Sequence, residues 1–347
     1  VVGTPRSLGR IVDSFREGGS YVKKSIAILA VIAFATIGIH SQSFAGFQTA
    51  FQSLAGDIAA SLATDSTIGS DWSDAYVGGF PHFGVGLATG ATFVNVASAS
   101  TLFATMGAAM PSAFSKYGIP IPAAVATLKI GIPFLPLDIG VKAGYIPPSI
   151  GKTLLCDTGV DANYQNIGIQ IRYALMKQNA LLPNVSIGVA YDYQQGSLSA
   201  PTGIGSQSLS YGGYSVTMTN PNLDLGWTSS TFDFTAQVSK KLLFLVPYIG
   251  AGYTVGSSTV TGGLDSDIST NYPTGINGLA NYIEANGGTA PDFSSGGFSY
   301  SVVSDSPVFR VYGGLSFRIF ILDFDVQALY VPVSRDLGAS FTTRLQF

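Results

Sequence analysis

Little in this 347-residue chain invites a catalytic reading: it has one cysteine, two histidines and a charged fraction of 11%. The lone Cys156 excludes an internal disulfide and leaves any thiol role unpaired. His40 lies in a leader-like segment, so a Ser-His or Asp-His hydrolase would depend on His82 alone. No catalytic residue, metal ligand or cofactor is therefore assigned. Charge is scarce where a soluble globular protein carries roughly 25%, yet long apolar runs are scarce too. Only one segment approaches the ~20 residues of a spanning helix. Methionine is absent before Met106, so a valine codon must have been read as the start. Val22 would place Lys23 and Lys24 at the very beginning, which reads residues 1–21 as a mis-assigned upstream extension.

What is present is hydrophobicity in short alternating pieces: 46% of residues are hydrophobic and 12% aromatic. The exceptional apolar segment, Ser25 to Ile39, follows the lysine pair and leads to Ser43-Phe44-Ala45. Basic start, apolar core and small-x-small exit are the three parts of a secretory signal, here residues 22–45 with cleavage after Ala45. An inner-membrane anchor is the rival, but the core is short and has no basic stop beyond it. Removing residues 1–45 leaves 12 basic against 18 acidic residues, a mildly acidic chain with no basic patch for nucleic acid.

Phe47, Phe51, Leu54, Ile58 and Leu62 recur at helical spacing and predict a short amphipathic helix. With its linker it spans 46–80 and is expected on or in the periplasmic mouth of the structure that follows; a plug is the alternative. From residue 81 the period becomes two. Four hairpin-like units, 128–145, 169–193, 235–255 and 315–331, carry tight turns near Pro136, Pro183, Val246 and Ile321, joined by long polar connections. Ile139, Val141, Ala143 and Tyr145 share one face of a strand, opposite Asp138, Gly140, Lys142 and Gly144. With a strand at 82–96 and another at 337–347 the pattern predicts an all-β fold over 81–347. The architecture is an antiparallel transmembrane β-barrel of about ten strands, with eight to twelve admissible. The chain ends on Phe347 because its last strand closes the ring and leaves no edge unpaired.

The signal-like VKKSIAILAVIAFATIGIHSQSFA, strands ending in tyrosine and the terminal RLQF together resemble a bacterial outer-membrane β-barrel protein. The resemblance implies an outer-membrane location, with membrane lipid and the barrel-assembly machinery as partners. It places the assembly signal on Phe341, Leu345 and Phe347, with Thr343 a weaker match.

Parity sends Lys129, Lys142, Arg172, Arg310, Arg318 and Arg344 into the lumen with Asp138, Asp192, Asp233, Asp323 and Asp325. Opposed charges in a narrow barrel either pair to hold its shape or line a polar path. Residues 98–120, with Leu102, Phe103, Met106, Met110 and Phe114 at helical spacing, form an apolar outer loop expected to fold over the mouth, where it could greet a hydrophobic ligand. The Gly-Lys-Thr at 151–153 lacks the upstream glycine of a phosphate loop, and Asp265-Ser266-Asp267 lacks the later ligands of a calcium loop. The stretches 196–229 and 258–306 are expected to be solvated loops. The function expected is a narrow channel or uptake protein for a small solute, hydrophobic solutes being among the candidates. The alternative is a structural or adhesive barrel with a closed, salt-bridged lumen.

Overall fold

The computed structural model describes residues 42–72, 74–78, 80–105, 115–116, 118–146, 161–201, 207–290 and 298–347. Its strands are β1 (Gln42–Ser43), β2 (Phe83–Val94), β3 (Ile119–Gly131), β4 (Leu137–Ile146), β5 (Asp161–Met176), β6 (Asn184–Pro201), β7 (Gln207–Tyr211), β8 (Tyr214–Ser239), β9 (Leu245–Thr270), β10 (Phe298–Ser304), β11 (Val308–Ile319), β12 (Leu322–Tyr330) and β13 (Leu337–Gln346). The helices are α1 (Phe44–Asp65), α2 (Val96–Thr105) and α3 (Gly275–Ala285). Ten of the strands, in the order β8-β6-β5-β4-β3-β2-β13-β12-β11-β9, close through β9 onto β8. The ring joins its first and last members, β2 and β13, from Leu337 against Phe93 to Gln346 against Gly84.

The alternation in sequence becomes two faces. Ile167, Ile169, Ile171, Tyr173 and Leu175 are exposed on β5, while Gly168, Gln170 and Arg172 between them are buried. An apolar outside and a polar inside invert the arrangement of a soluble sandwich. The fold is that of a transmembrane β-barrel. At one end the hairpin turns are short, centred on 132–136, 177–183, 240–244 and 320–321. At the other end, β8 and β9 run 26 residues each, well beyond the 9–11 that cross a bilayer. There the strands continue as a protruding sheet, widened by β7 and β10. Much of 196–229 and parts of 258–306, expected to be loop, are therefore strand, with α3 inside the second stretch: their Ser, Thr and Tyr pair across a ladder as readily as they meet water.

The N-terminal helix is the main correction. It does not sit at the mouth with the short turns. It lies at the opposite end. Its first turns pack under the protruding sheet, with Phe51 against Tyr300 and Gly262 and with Gly56 facing Val302; its last turn enters the lumen, where Ala63 meets Tyr248, Tyr312 and Leu329. Of its apolar stripe, Phe51, Leu54 and Leu62 are buried, with Phe51 at 2% and Leu62 at 0% exposure, and Ile58 is partly buried; Ala55, Ala59 and Ser61 beside the stripe and Thr64 farther round are buried too. Those small residues let a helix about 10 Å wide fit inside a ten-stranded ring. A one-sided stripe suggested one-sided packing, and the small residues between it were the overlooked signal.

Candidate functional site

The lumen is filled by two consecutive pieces of one segment. Near the long-loop end, β1 pairs with β7 and Ser53 on α1 meets Ser98 on α2 at 2.9 Å. Here α1 packs in an apolar cluster with Val94, Leu102, Ile121, Met218 and Val260. Leu102 of the predicted apolar outer loop thus covers the helix. Phe103 lies on α2, and Met106, Met110 and Phe114 fall outside the described residues.

After α1 the chain becomes a strap, 66–77, that passes through hydrogen-bonded turns at 66–70 and continues to Val77 toward the short-turn end, residue 73 lying outside the described residues. Gly69 marks the change: its φ of +85° is left-handed, and a Cβ there would lie 2.4 Å from Val125 Cγ2. All eleven wall charges assigned to the lumen by parity lie inside; ten are buried and Arg318 is partly so. They hold one another and also hold the strap. Lys142 pairs with Asp192 at 2.9 Å and donates to the carbonyls of Ser66 and Ile68. Lys129 donates to the Ser70 carbonyl at 3.1 Å, and Arg172, paired with Asp138, donates to that of Asp74 at 2.8 Å. Arg310 bridges Asp233 on the wall and Asp71 on the strap, the latter at 2.8 Å. Arg318 joins Asp323 at 2.8 Å and Asp74 at 2.9 Å, and Arg344 meets Asp323 at 2.9 Å. Asp325 accepts from Tyr248 at 3.0 Å. Trp72 lies between Lys129 and Arg344, whose charged groups sit 4.7 and 5.0 Å from the centre of its ring system.

Sequence parity found the wall but missed Asp65, Asp71 and Asp74, which the strap and helix end bring inside. Their stretch, DSTIGSDWSDAY, has no period to read, and Asp74 reaches a partner 244 residues away. At the short-turn mouth, burial pushes the His82 imidazole below its ordinary range, and Tyr76 meets its ring edge-on at 5.5 Å. Among the described residues no group of His, Cys, Asp or Glu is arranged to hold a metal.

Among the described residues the wall has one seam. The β2–β3 ladder runs 12 residue pairs and β4–β5 runs 10, but β3 and β4 pair over only six, from Gly131–Asp138 to Ala126–Ala143. Among the described residues the ladder stops there, leaving 119–125 unpaired with 144–146 on the long-loop side. Gly131 N–H bonds to His82 on the β2 side and Ile132 N–H to Leu137 on the β4 side. By alternation, the N–H groups of even-numbered β3 residues face the seam. Two of those positions, Pro120 and Pro122, have no N–H, so the edge carries fewer unmet donors. Behind it lies a small apolar cluster of Ile68, Ala123 and Tyr164, with Ile146 and Trp227 against it. The lipid face near the last paired residues is recessed into an open groove of about 620 Å³ lined by Leu128, Val141, Ala143 and Ile169.

The predicted assembly residues line the outer face of β13 and the strand end: Phe341, Leu345 and Phe347 are 45%, 37% and 50% exposed. Phe347 donates its N–H to Phe83 at 2.8 Å and stacks on that ring at 4.7 Å.

No family model matches the sequence, and no curated protein matches it. Solved structures similar to it include the outer membrane protease OmpT of Escherichia coli, with a TM-score of 0.34, 9% identity, and coverage of 77% of this chain and 97% of that one. The translocator domain of the autotransporter NalP from Neisseria meningitidis has a TM-score of 0.31 and 8% identity, covering 88% and 98%. The Ralstonia pickettii toluene transporter TbuX has a TM-score of 0.28 and 11% identity, covering 88% and 99%. At these scores the likenesses carry no argument about function.

Proposed function

We propose that this protein is an outer-membrane uptake barrel for a small hydrophobic solute, which leaves the barrel sideways through the β3–β4 seam rather than down the filled lumen. The seam carries the reading. A barrel that only walls off the membrane gains from pairing every backbone group, whereas here the β3–β4 ladder stops after six pairs beside the packed cluster of Ile68, Ala123 and Tyr164, and the β3 edge carries prolines. Gly144 still lies against the Ala124 carbonyl, so a solute would pass by parting the two strands. A solute without charge would meet Ile68, Ala123 and Tyr164 there, and the strap's ion pairs would bar water and ions below. The reading includes export through the signal at 22–45, so N-terminal sequencing of membrane-fraction protein should begin at Gly46.

A covalent bridge across the seam tests the idea. In a Cys156→Ser background, Ala124→Cys and Tyr145→Cys should oxidise together. Bridged cells should take up the apolar dye N-phenyl-1-naphthylamine at the rate of cells lacking the protein, and a reductant should restore uptake. Uptake unchanged by the bridge would remove the lateral route. The second reading, a structural or adhesive barrel, is favoured by the paired charges of the lumen; under it, dye uptake is the same with and without the protein.

A further inference from the structure

The four short turns are built contrary to what a water-facing turn needs. Their tips are Phe134, Leu181, Leu243 and Phe320, with exposures of 104%, 91%, 89% and 96%. Three of them hold a left-handed backbone, with φ of 64° at Phe134 and 55° at Leu243 and Phe320, where glycine or asparagine would fit without strain. Solvated turns gain nothing from a strained bulky apolar residue at the tip, and four together make a large exposed apolar surface.

The outward apolar band on the strands is uneven in height. It runs from Ile167 to Leu175 on β5, Phe232 to Val238 on β8 and Leu322 to Tyr330 on β12, but from Phe309 to Ile319 on β11 and from Leu337 to Phe347 along β13 and the chain end, with polar Gln165 and Ser230 marking its far edge on β5 and β8. At ~3.3 Å per residue and a tilt of ~40°, these stretches are about 15–25 Å tall, against an apolar band of roughly 25 Å in such barrels. Where the band is shorter, on β5, β8 and β12, the turns at Leu181, Leu243 and Phe320 continue it. Charge agrees: among the described side chains of this end, those carrying exposed charge at or beside the turns are lysines, Lys177 and Lys241, with Lys240 half-buried. Lys240 also donates to the carbonyls of Asn179, Ala180 and Leu182, tying the β8–β9 connection to the β5–β6 turn. The opposite end is mixed, exposing Asp265, Asp267, Glu284 and Asp305 together with Lys116 and Arg335.

From the strained apolar tips, the shorter apolar band on β5, β8 and β12 that they continue, and the lysine rim, we infer that the short turns are immersed in the adjacent lipid leaflet and that Lys177 and Lys241 engage its phosphate headgroups. The four tips act as anchors that fix the depth of the barrel and complete its apolar belt. This does not depend on the solute proposal.

Single cysteines at Phe134, Leu181, Leu243 and Phe320, in the Cys156→Ser background, can carry the environment-sensitive dye NBD in full-length protein held one copy per lipid nanodisc. Blue-shifted emission, quenched by nitroxides on acyl chains but little by aqueous iodide, is the expected result at all four; a label at Asn271 should behave in the reverse way. Water-like emission at the turns overturns the inference, as does a blue shift seen only when two copies share a disc, which would make a second copy the occupant. As an independent readout, anionic phospholipid in place of zwitterionic lipid should raise the melting temperature of wild type, and Lys177→Gln with Lys241→Gln should abolish the increment. An increment that survives both substitutions removes the headgroup contact.

Discussion

The two halves of the lumen are filled by different physics. Near the long-loop end, α1 packs by shape: Phe51, Leu54 and Leu62 meet Val94, Ile121, Met218 and Val260. Near the short-turn end, the strap is held by charge and hydrogen bonds: Asp71 to Arg310, Asp74 to Arg318, and strap carbonyls to Lys129, Lys142 and Arg172. Apolar contact is non-directional and accepts substitutes of similar volume. Buried ion pairs are unforgiving, because removing one partner strands the other. The helix half therefore supplies bulk, and the strap half supplies register.

The largest effect expected from breaking this contrast is at Arg310, which is fully buried between Asp71 and Asp233. Arg310→Met should cost roughly 3–5 kcal/mol, read as a lower urea midpoint for the heat-modifiable band in detergent. Arg310→Lys should recover little, since a lysine cannot fork between two carboxylates. Phe51→Ala comes next, at about 3 kcal/mol for the cavity it leaves, but Phe51→Leu should recover most of that in the same assay. Equal recovery by both conservative changes would erase the distinction between the halves.

Conductance sharpens the comparison at lower cost in stability. Asp71→Asn with Asp74→Asn loosens the strap, and planar bilayers should then record openings that wild type and Phe51→Ala lack. Openings in Phe51→Ala alone would place the barrier in the helix half. The smallest effect on the folded barrel is expected from deleting Phe347, which touches neither half and forfeits at most ~2–3 kcal/mol of apolar burial. Its loss should impair assembly in cells far more than refolding in detergent, as heat-modifiability on gels would record.

The wall was legible in the sequence because its code is local. A period of two places Arg172 opposite Ile171 whatever lies across the barrel, so the inward set from Lys129 to Arg344 could be read one strand at a time. Closure was legible from the apolar parity carried through to Phe347. The filling was not legible in the same way. Asp71 and Asp74 look like solvated loop carboxylates until folding brings Arg310 and Arg318 to them from more than 200 residues away. The seam was hidden for a related reason: Pro120 and Pro122 read as a strand edge only once the ladder beside them is seen to stop. The protruding strands β8 and β9 were missed because the inner residues that cover α1, Val216, Met218 and Val260, are set among Ser, Thr and Gly with no sustained apolar alternation to announce them.

The ring closes where β13 meets β2, and the segment it encloses immediately precedes β2. The polypeptide is thus threaded through a hoop made by its own later part. The helix and strap are enclosed only once every junction of the ring is made, so sealing the cylinder and seating its contents are coupled events. An intermediate with all but the last strand in place would be an open gutter, its charged floor accessible from the side. The partners that Asp71 and Asp74 need on β11 arrive shortly before that closure. Such order makes assembly slow, because its decisive contacts are the most distant in the chain. It also makes assembly self-checking, since a hoop closed around nothing would leave Lys129, Lys142 and Arg172 facing a void.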